Sequence, residues 1–172
     1  MTDIRDFIQL ARDSGAYKDI ELDILKETLL NWTERPGDPC SVVELRDGRV
    51  LAGFAVFART QSTDFTWDVR AVCVDSIYRG KGVGQRLVDL IEEEILGSAS
   101  QAIIRFELSK RKEAAVGEGF LLDRGFTLIG HIEGFYEQGD DYFIYAKHVS
   151  MHQPEEAEER IGEGGSSDEA RP

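Results

Sequence analysis

Residues 79–84, Arg-Gly-Lys-Gly-Val-Gly, place three glycines and two cations within six positions. Glycine adopts positive φ and lets a ligand approach the backbone, so successive N–H groups in such a loop can converge on one anion. The residues that follow read as a helix, whose N-terminus adds partial positive charge at the same point. The chemistry this predicts is binding of a phosphate or pyrophosphate. Spacing excludes two common phosphate loops. The P-loop needs Ser or Thr after its Gly-Lys pair, whereas Lys81 is followed by Gly82, and in the dinucleotide fingerprint G-x-G-x-x-G the third glycine is replaced by Gln85. The pattern that fits is Arg/Gln-x-x-Gly-x-Gly/Ala.

A loop of this kind needs a strand before it and a helix after it. Over residues 66–74, Trp67, Val69, Ala71 and Cys73 alternate with Asp68, Arg70, Val72 and Val74, which is the period of a strand. By that alternation Asp68 shares a face with Val72 and Val74. Residues 83–96 gather Val83, Leu87, Leu90, Ile91 and Ile95 on one side of a helix and set Asp89, Glu92 and Glu93 largely on another. Upstream, Ile4, Phe7, Ile8 and Ala11, then Leu22, Leu25, Leu29 and Leu30, predict two helices separated by Ser14-Gly15. Residues 35–39 read as a loop, and 41–45 and 50–59 as a hairpin turning on Asp47-Gly48. Downstream the pattern predicts a strand over 102–108, a helix over 113–124 closed by Gly125, and strands over 127–131 and 142–148. The fold class is α/β.

A chain of 172 residues with 41% apolar content is sized for one domain with its own core. The formal net charge is −13, and the end of the chain holds Glu155, Glu156, Glu158, Glu159, Glu163, Asp168 and Glu169 against Arg160 and Arg171. With its Gly and Ser, the segment 150–172 reads as an acidic, disordered tail behind a domain over 1–149. An acidic body lacks the basic footprint that nucleic acid requires and favours cationic partners such as amines. No apolar run approaches the roughly 18 residues of a membrane span, and no leader pattern opens the chain, so a cytoplasmic protein without membrane partners is expected. The sequon Asn31-Trp32-Thr33 is then fortuitous. Cys40 and Cys73 read as buried reduced thiols, Trp32 and Trp67 as packing residues, and His131, His148 and His152 have no metal spacing, so no metal is expected.

The run from Val72 to Gly84, Val-Cys-Val-Asp-Ser-Ile-Tyr-Arg-Gly-Lys-Gly-Val-Gly, resembles the strand, short turn and pyrophosphate loop of the GNAT superfamily of acetyl-CoA-dependent N-acetyltransferases. The likeness extends over residues 42–149. Leu122-Asp123-Arg124-Gly125-Phe126 resembles that family's helix end before a late strand. Phe135-Tyr136 through Tyr142-Phe143-Ile144-Tyr145 resembles the closing hairpin of a subgroup that includes protein N-terminal acetyltransferases. The resemblance implies a mixed, twisted β-sheet flanked by helices on both faces, with two parallel strands that splay apart beside the loop. It implies acetyl-CoA as co-substrate, with its pantetheine arm on the backbone of Val72, Cys73 and Val74. Its pyrophosphate would lie on the amides of Gly80, Gly82 and Gly84, with Val83 between them and Arg79 and Lys81 alongside. Relatives open with a strand where this chain reads as helical, and a short strand near residues 3–7 would restore the likeness.

Acetyl transfer to a primary amine needs a base, because the amine is protonated at neutral pH, with a reference pKa of about 10.4 for lysine. Asp68 falls where some members of the family place a glutamate base on this strand; equally, it could pair with Arg70 two residues on. Many relatives protonate the leaving thiolate with a tyrosine at the position of Leu121, and carry an asparagine at the position of Ala114. Tyr136 is the replacement acid, with a role as a core or lip tyrosine as the alternative. Asp140 and Asp141 suit either a turn or a cationic substrate. The function implied is acetyl transfer to a peptide N-terminus, a lysine or a small amine. The alternatives are a non-catalytic acyl-CoA-binding regulatory module, which Leu121 favours, and a purely structural partner protein. A homodimer is left open.

Overall fold

A computed structural model describes residues 3–35, 39–117 and 119–151. The expected tail beyond Met151 and most of the expected loop over 35–39 lie outside those residues. Helix α1, Ile4–Asp13, opens at Asp3, whose carboxylate accepts from the Arg5 amide at 3.0 Å, so no strand forms near residues 3–7. In helix α2, Asp19–Glu34, the Glu21 carboxylate reaches back to the Lys18 amide at 2.8 Å. Their apolar sides bury Phe7, Leu10 and Ala11, and Leu22, Leu25 and Leu29. There follow β1 (Cys40–Asp47), β2 (Val50–Arg59), β3 (Thr66–Val74), α3 (Val83–Ser98) and β4 (Gln101–Ser109). After them come α4 (Lys110–Val116), α5 (Phe120–Asp123), β5 (Thr127–Glu137) and β6 (Asp140–Ser150).

The six strands form one sheet in the order β1-β2-β3-β4-β6-β5. Only β3 and β4 run parallel, with α3 as the crossover between them. On one face, Val88, Ile91 and Ile95 of α3 pack on Phe57, Trp67, Val69, Ile104 and Phe106. On the other, α1 and α2 pack on Phe54, Val56, Ala71 and Cys73. This is the expected mixed sheet with helices on both faces.

Two local departures from the sequence reading shape the site. Val56 pairs with Ala71 but the next residue, Phe57, pairs with Val69, so Arg70 is an extra residue, a bulge in β3. A bulge reverses which face each following residue takes. Trp67 and Val69 therefore face α3 while Ala71 and Cys73 face α1 and α2, and Val72 packs toward α3. The expectation that Asp68 shares a face with Val72 and Val74 is corrected: it lies on the α1–α2 face, opposite Ala58 and beside Arg105. The second departure is the expected helix over 113–124, which forms as two pieces. Ser109 caps α4 early, its hydroxyl accepting from the Lys112 amide at 3.2 Å, and Gly117 and Gly119, at φ 112° and 78°, end the helical run.

Past the bulge the parallel pair opens. Pairing of β3 with β4 runs from Thr66 opposite Ile103 to Val69 opposite Phe106 and stops there, while β4 continues along β6 as far as Ser109 opposite Tyr142. Residues 70–74 and 107–109 thus bound a wedge between two strands of one sheet. Among the described residues no helix is long and apolar enough to cross a membrane.

Candidate active site

From the end of β3 the chain makes a 3-10 turn, Ser76–Tyr78, held by the Asp75 carboxylate accepting from the Ile77 amide at 2.8 Å. It then enters the glycine loop, where Gly80 and Gly82 have φ of 70° and 83°, a region other residues rarely adopt. Gly82 is the N-cap of α3, and helical bonding begins with the Arg86 amide on the Gly82 carbonyl at 3.0 Å. The amides of Val83, Gly84 and Gln85 therefore have no acceptor within the helix. A cleft of about 450 Å³ lies over them, lined by Val72 and Val74 on one side, Arg79, Gly80, Gly82 and Gly84 below, and Ala114 and Phe120 opposite. A methyl on Gly84 would make ordinary contact with the Phe120 ring at 3.5 Å, so that ring stands directly beside the loop. Lys81 stands 5.6 Å over the Tyr78 ring at the rim. Free amides at a helix start, two cations and an apolar wall leading into the wedge suit the diphosphate and arm of coenzyme A. Of the expected residues, Val72, Val74, Arg79, Gly80, Gly82 and Gly84 line this cleft, while Cys73 packs in the α1–α2 core and the side chains of Lys81 and Val83 lie outside the lining.

Leu121 is 4% exposed and belongs to the α3-side core, while its neighbour Phe120 lines the cleft. The position where relatives carry an acid is here part of the hydrophobic core. Ala114 does face the cleft, where an asparagine would make a contact that alanine cannot.

On the opposite face the wedge meets a cluster of carboxylates and phenols. Asp68 accepts from Arg105 Nε at 2.8 Å and from Thr60 Oγ1 at 2.6 Å, so both its oxygens are engaged and its ion-pair partner is Arg105 rather than Arg70. Arg105 in turn holds Glu107 Oε1 at 3.1 Å. The Tyr142 hydroxyl donates to Glu107, and burial followed by that bond pushes the phenol up to about 12. Tyr136 is raised from its ordinary value by burial first, then by the carboxylates of Glu21, Glu107 and Asp140. Its ring meets Phe135 at 4.9 Å and Tyr142 at 6.0 Å. Asp68 and Tyr136 thus belong to one cluster, but neither lines the glycine-loop cleft.

The β5–β6 hairpin positions these tyrosines. Ile132 pairs with Tyr142 and Glu137 with Asp140, so residues 133–136 bulge out against Asp141 alone. The Asp141 carboxylate pins the bulge, accepting from the Gly134 amide at 2.9 Å and meeting His131 Nε2 at 3.0 Å. Asp140 is 7% exposed and accepts from the Arg111 amide at 3.4 Å. Both aspartates hold backbone amides, Asp141 within the hairpin and Asp140 at the start of α4.

At the narrow end of the wedge, the Tyr17 hydroxyl meets the Val72 backbone N–H and the Cys73 thiol. Lys112 Nζ sits 4.8 Å over the Tyr17 ring and 2.5 Å from Glu21 Oε1, tying the α1–α2 connection to α4 across the opening. Both cysteines are buried, and burial pushes the Cys73 thiol up to about 12. At pH 8 only roughly one part in ten thousand of such a thiol is thiolate. Iodoacetamide labelling of Cys73 in the folded protein is therefore expected to be slower than that of an exposed thiol by about 100-fold or more, and fast after denaturation, as read by timed mass spectrometry. Rapid labelling of the folded protein would mean that the narrow end opens freely. Among the described residues no group of His, Cys, Asp and Glu could hold a metal ion.

Glu107, Tyr142 and Tyr17 were not singled out by the sequence reading. Alternation along residues 101–109 sets Arg105 and Glu107 on the polar face of β4, a signal that becomes informative only once β4 is known to lie beside β3. Tyr17 lies between two helices, where no periodicity marks it.

The profile of the Acetyltransferase (GNAT) family matches residues 4–126. The N-alpha-acetyltransferase RimI of Mycobacterium tuberculosis (strain ATCC 25618 / H37Rv) is 30% identical over 95 residues, 55% of this chain and 56% of that relative. The chain thus spans little more than half the length of this curated relative. Among solved structures, a GNAT-family protein of Desulfovibrio desulfuricans aligns with a TM-score of 0.76 at 21% identity, covering 86% of this chain and 93% of the other. An aminoglycoside 6'-N-acetyltransferase complexed with coenzyme A aligns with a TM-score of 0.62 at 15% identity, covering 88% and 92%. At these identities the two structures speak for the fold.

Proposed function

The chain belongs to the GNAT acetyltransferase family, and from that premise we propose that it transfers an acetyl group from acetyl-CoA to the nitrogen of a primary amine. One observation carries this reading. Where β3 parts from β4, the glycine-loop cleft reaches the wedge along Val72 and Val74, and Glu107, in the carboxylate and tyrosine cluster, stands on β4 at the wedge's other edge. Two reactants can then approach one point from opposite faces, which is the positioning that attack on a thioester requires.

The amides following Gly82, with Arg79 and Lys81, hold the diphosphate, and the backbone of Val72, Cys73 and Val74 holds the pantetheine arm. Acetyl-CoA supplies an activated thioester carbonyl. Glu107 takes the proton from the incoming ammonium, directly or through one water. The base role passes to it from Asp68, because both Asp68 oxygens already accept hydrogen bonds while the Glu107 side chain is 42% exposed. Asp68 positions Glu107 through Arg105. Tyr136, protonated at neutral pH as a phenol ordinarily is, is the proton donor to the departing sulfur.

The half-exposed carboxylate of Glu107 near Tyr136 favours a cationic acceptor. The likeness to an N-alpha-acetyltransferase favours the α-amine of a peptide over a lysine or a small polyamine. The test is turnover of acetyl-CoA with three acceptors: a peptide with a free N-terminus, an N-terminally blocked lysine peptide, and spermidine. Released thiol is followed and products are identified by mass. The free peptide is expected to be acetylated fastest. Acetyl-CoA binding without product from any acceptor would favour a regulatory acyl-CoA-binding module instead.

A further inference from the structure

The wedge ends in a cavity of about 20 Å³ between the glycine-loop cleft and the α1–α2 face. That is room for little more than one water, which needs about 10 to 15 Å³. Its walls differ in how readily they can move. Cys73, Phe106 and Leu108 are 2%, 1% and 7% exposed strand residues within the two cores, where close packing leaves no slack. Tyr17 is the aromatic wall that lies outside those strands. It closes the cavity from the connection between α1 and α2, with its hydroxyl on the Val72 N–H and the Cys73 thiol and its ring under Lys112, which Glu21 holds.

We propose that Tyr17 is the stop that restricts the acyl group to two carbons. The inference rests on the acetyltransferase reading, since it takes the arm to run from the glycine loop along Val74 and Val72 into this narrow end. An acetyl methyl is about the size of the cavity. Each further methylene meets either the strand cores or the Tyr17 ring, and a fitted apolar pocket discriminates by about 10- to 200-fold per methylene. Lys112 and Glu21 act through Tyr17, holding the ring against the opening.

The test is calorimetric titration of the wild-type protein, Tyr17→Ala and Tyr17→Phe with CoA, acetyl-CoA and hexanoyl-CoA. Wild type is expected to bind hexanoyl-CoA weaker than acetyl-CoA by about 10-fold or more. Tyr17→Phe keeps the ring and should keep that ratio. Tyr17→Ala should bring the ratio to within about 3-fold of unity. Equal binding of the two acyl forms by wild type, or an unchanged ratio in Tyr17→Ala, overturns the proposal. Should Tyr17→Ala disturb the α1–α2 connection, Tyr17→Leu makes the same comparison with a smaller loss of packing. Failure of wild type to bind CoA itself would sink the parent acetyltransferase reading, a result distinct from loss of chain-length selectivity.

Discussion

Replacing Glu107 by Gln is expected to lower kcat/KM for the best acceptor by about 10²- to 10⁴-fold, the range removed with a general base, while acetyl-CoA affinity stays within about 2-fold. The split follows from placement. Glu107 lies on the polar face of β4 with Arg105, beside Tyr142 of β6 and away from the glycine loop, so its loss should not disturb the diphosphate site. Gln matches Glu in size and can still accept from Tyr142, so the fold has little reason to change. Asp68→Asn is the informative contrast. It weakens the bond that aims Arg105 at Glu107 but leaves the proposed base in place, so a loss of about 10-fold is expected. If Asp68→Asn costs more than Glu107→Gln, the base is Asp68 and the roles assigned above are reversed. A fall in acetyl-CoA affinity that accounted for the whole loss would show instead that Glu107 supports the fold of the wedge.

The residues that make this contrast necessary also show what one strand pattern can and cannot reveal. Trp67 to Val74 alternate without interruption, and nothing in that run announces a bulge, because both faces of the strand are covered and apolar residues occur at both parities. The extra residue at Arg70 appears only in the pairing with β2, and it moves Asp68 to the opposite face from Val72. Periodicity worked where one face alone is buried. Phe7, Leu10 and Ala11, and then Leu22, Leu25 and Leu29, set α1 and α2 close to where they were expected. Glycines were legible to different degrees. Those in residues 79–84 follow a strand and precede a helix, so their conformation had a purpose visible in sequence. Gly117 and Gly119 interrupt a helical pattern, and whether they break it depends on Ser109 having already started α4 and on Phe120 turning into the cleft. The carboxylate and tyrosine cluster was least legible of all, since Asp68, Glu107, Tyr136 and Tyr142 come from four strands, which the parallel β3–β4 contact and the closing hairpin bring together.

The cofactor loop should respond most sharply to charge. A Gly82→Glu, Gly84→Glu variant is expected to lose acetyl-CoA binding by about 10³-fold or more, roughly 4 kcal/mol, because two carboxylates enter a site built from helix-terminal amides and compete with the diphosphate for them. Strain and charge have to be separated. Gly82 has φ 83°, so any side chain there carries a backbone penalty of about 1 to 2 kcal/mol. Gly84 has no such penalty, and its added Cβ would make ordinary contact with the Phe120 ring at 3.5 Å. A Gly82→Gln, Gly84→Gln variant has nearly the same bulk and backbone cost without the charge. It should keep measurable binding, weaker than wild type by about 5- to 30-fold if strain alone acts. The loop residues are exposed or half-exposed, and the buried face of α3, Leu87, Val88, Ile91 and Ile95, begins a turn later, so circular dichroism should report an intact fold in both variants. Equal losses in the Glu and Gln variants would mean that the glycines matter for shape alone. Undiminished binding by the Glu variant would place the diphosphate elsewhere and remove the ground for reading the cleft as the cofactor site.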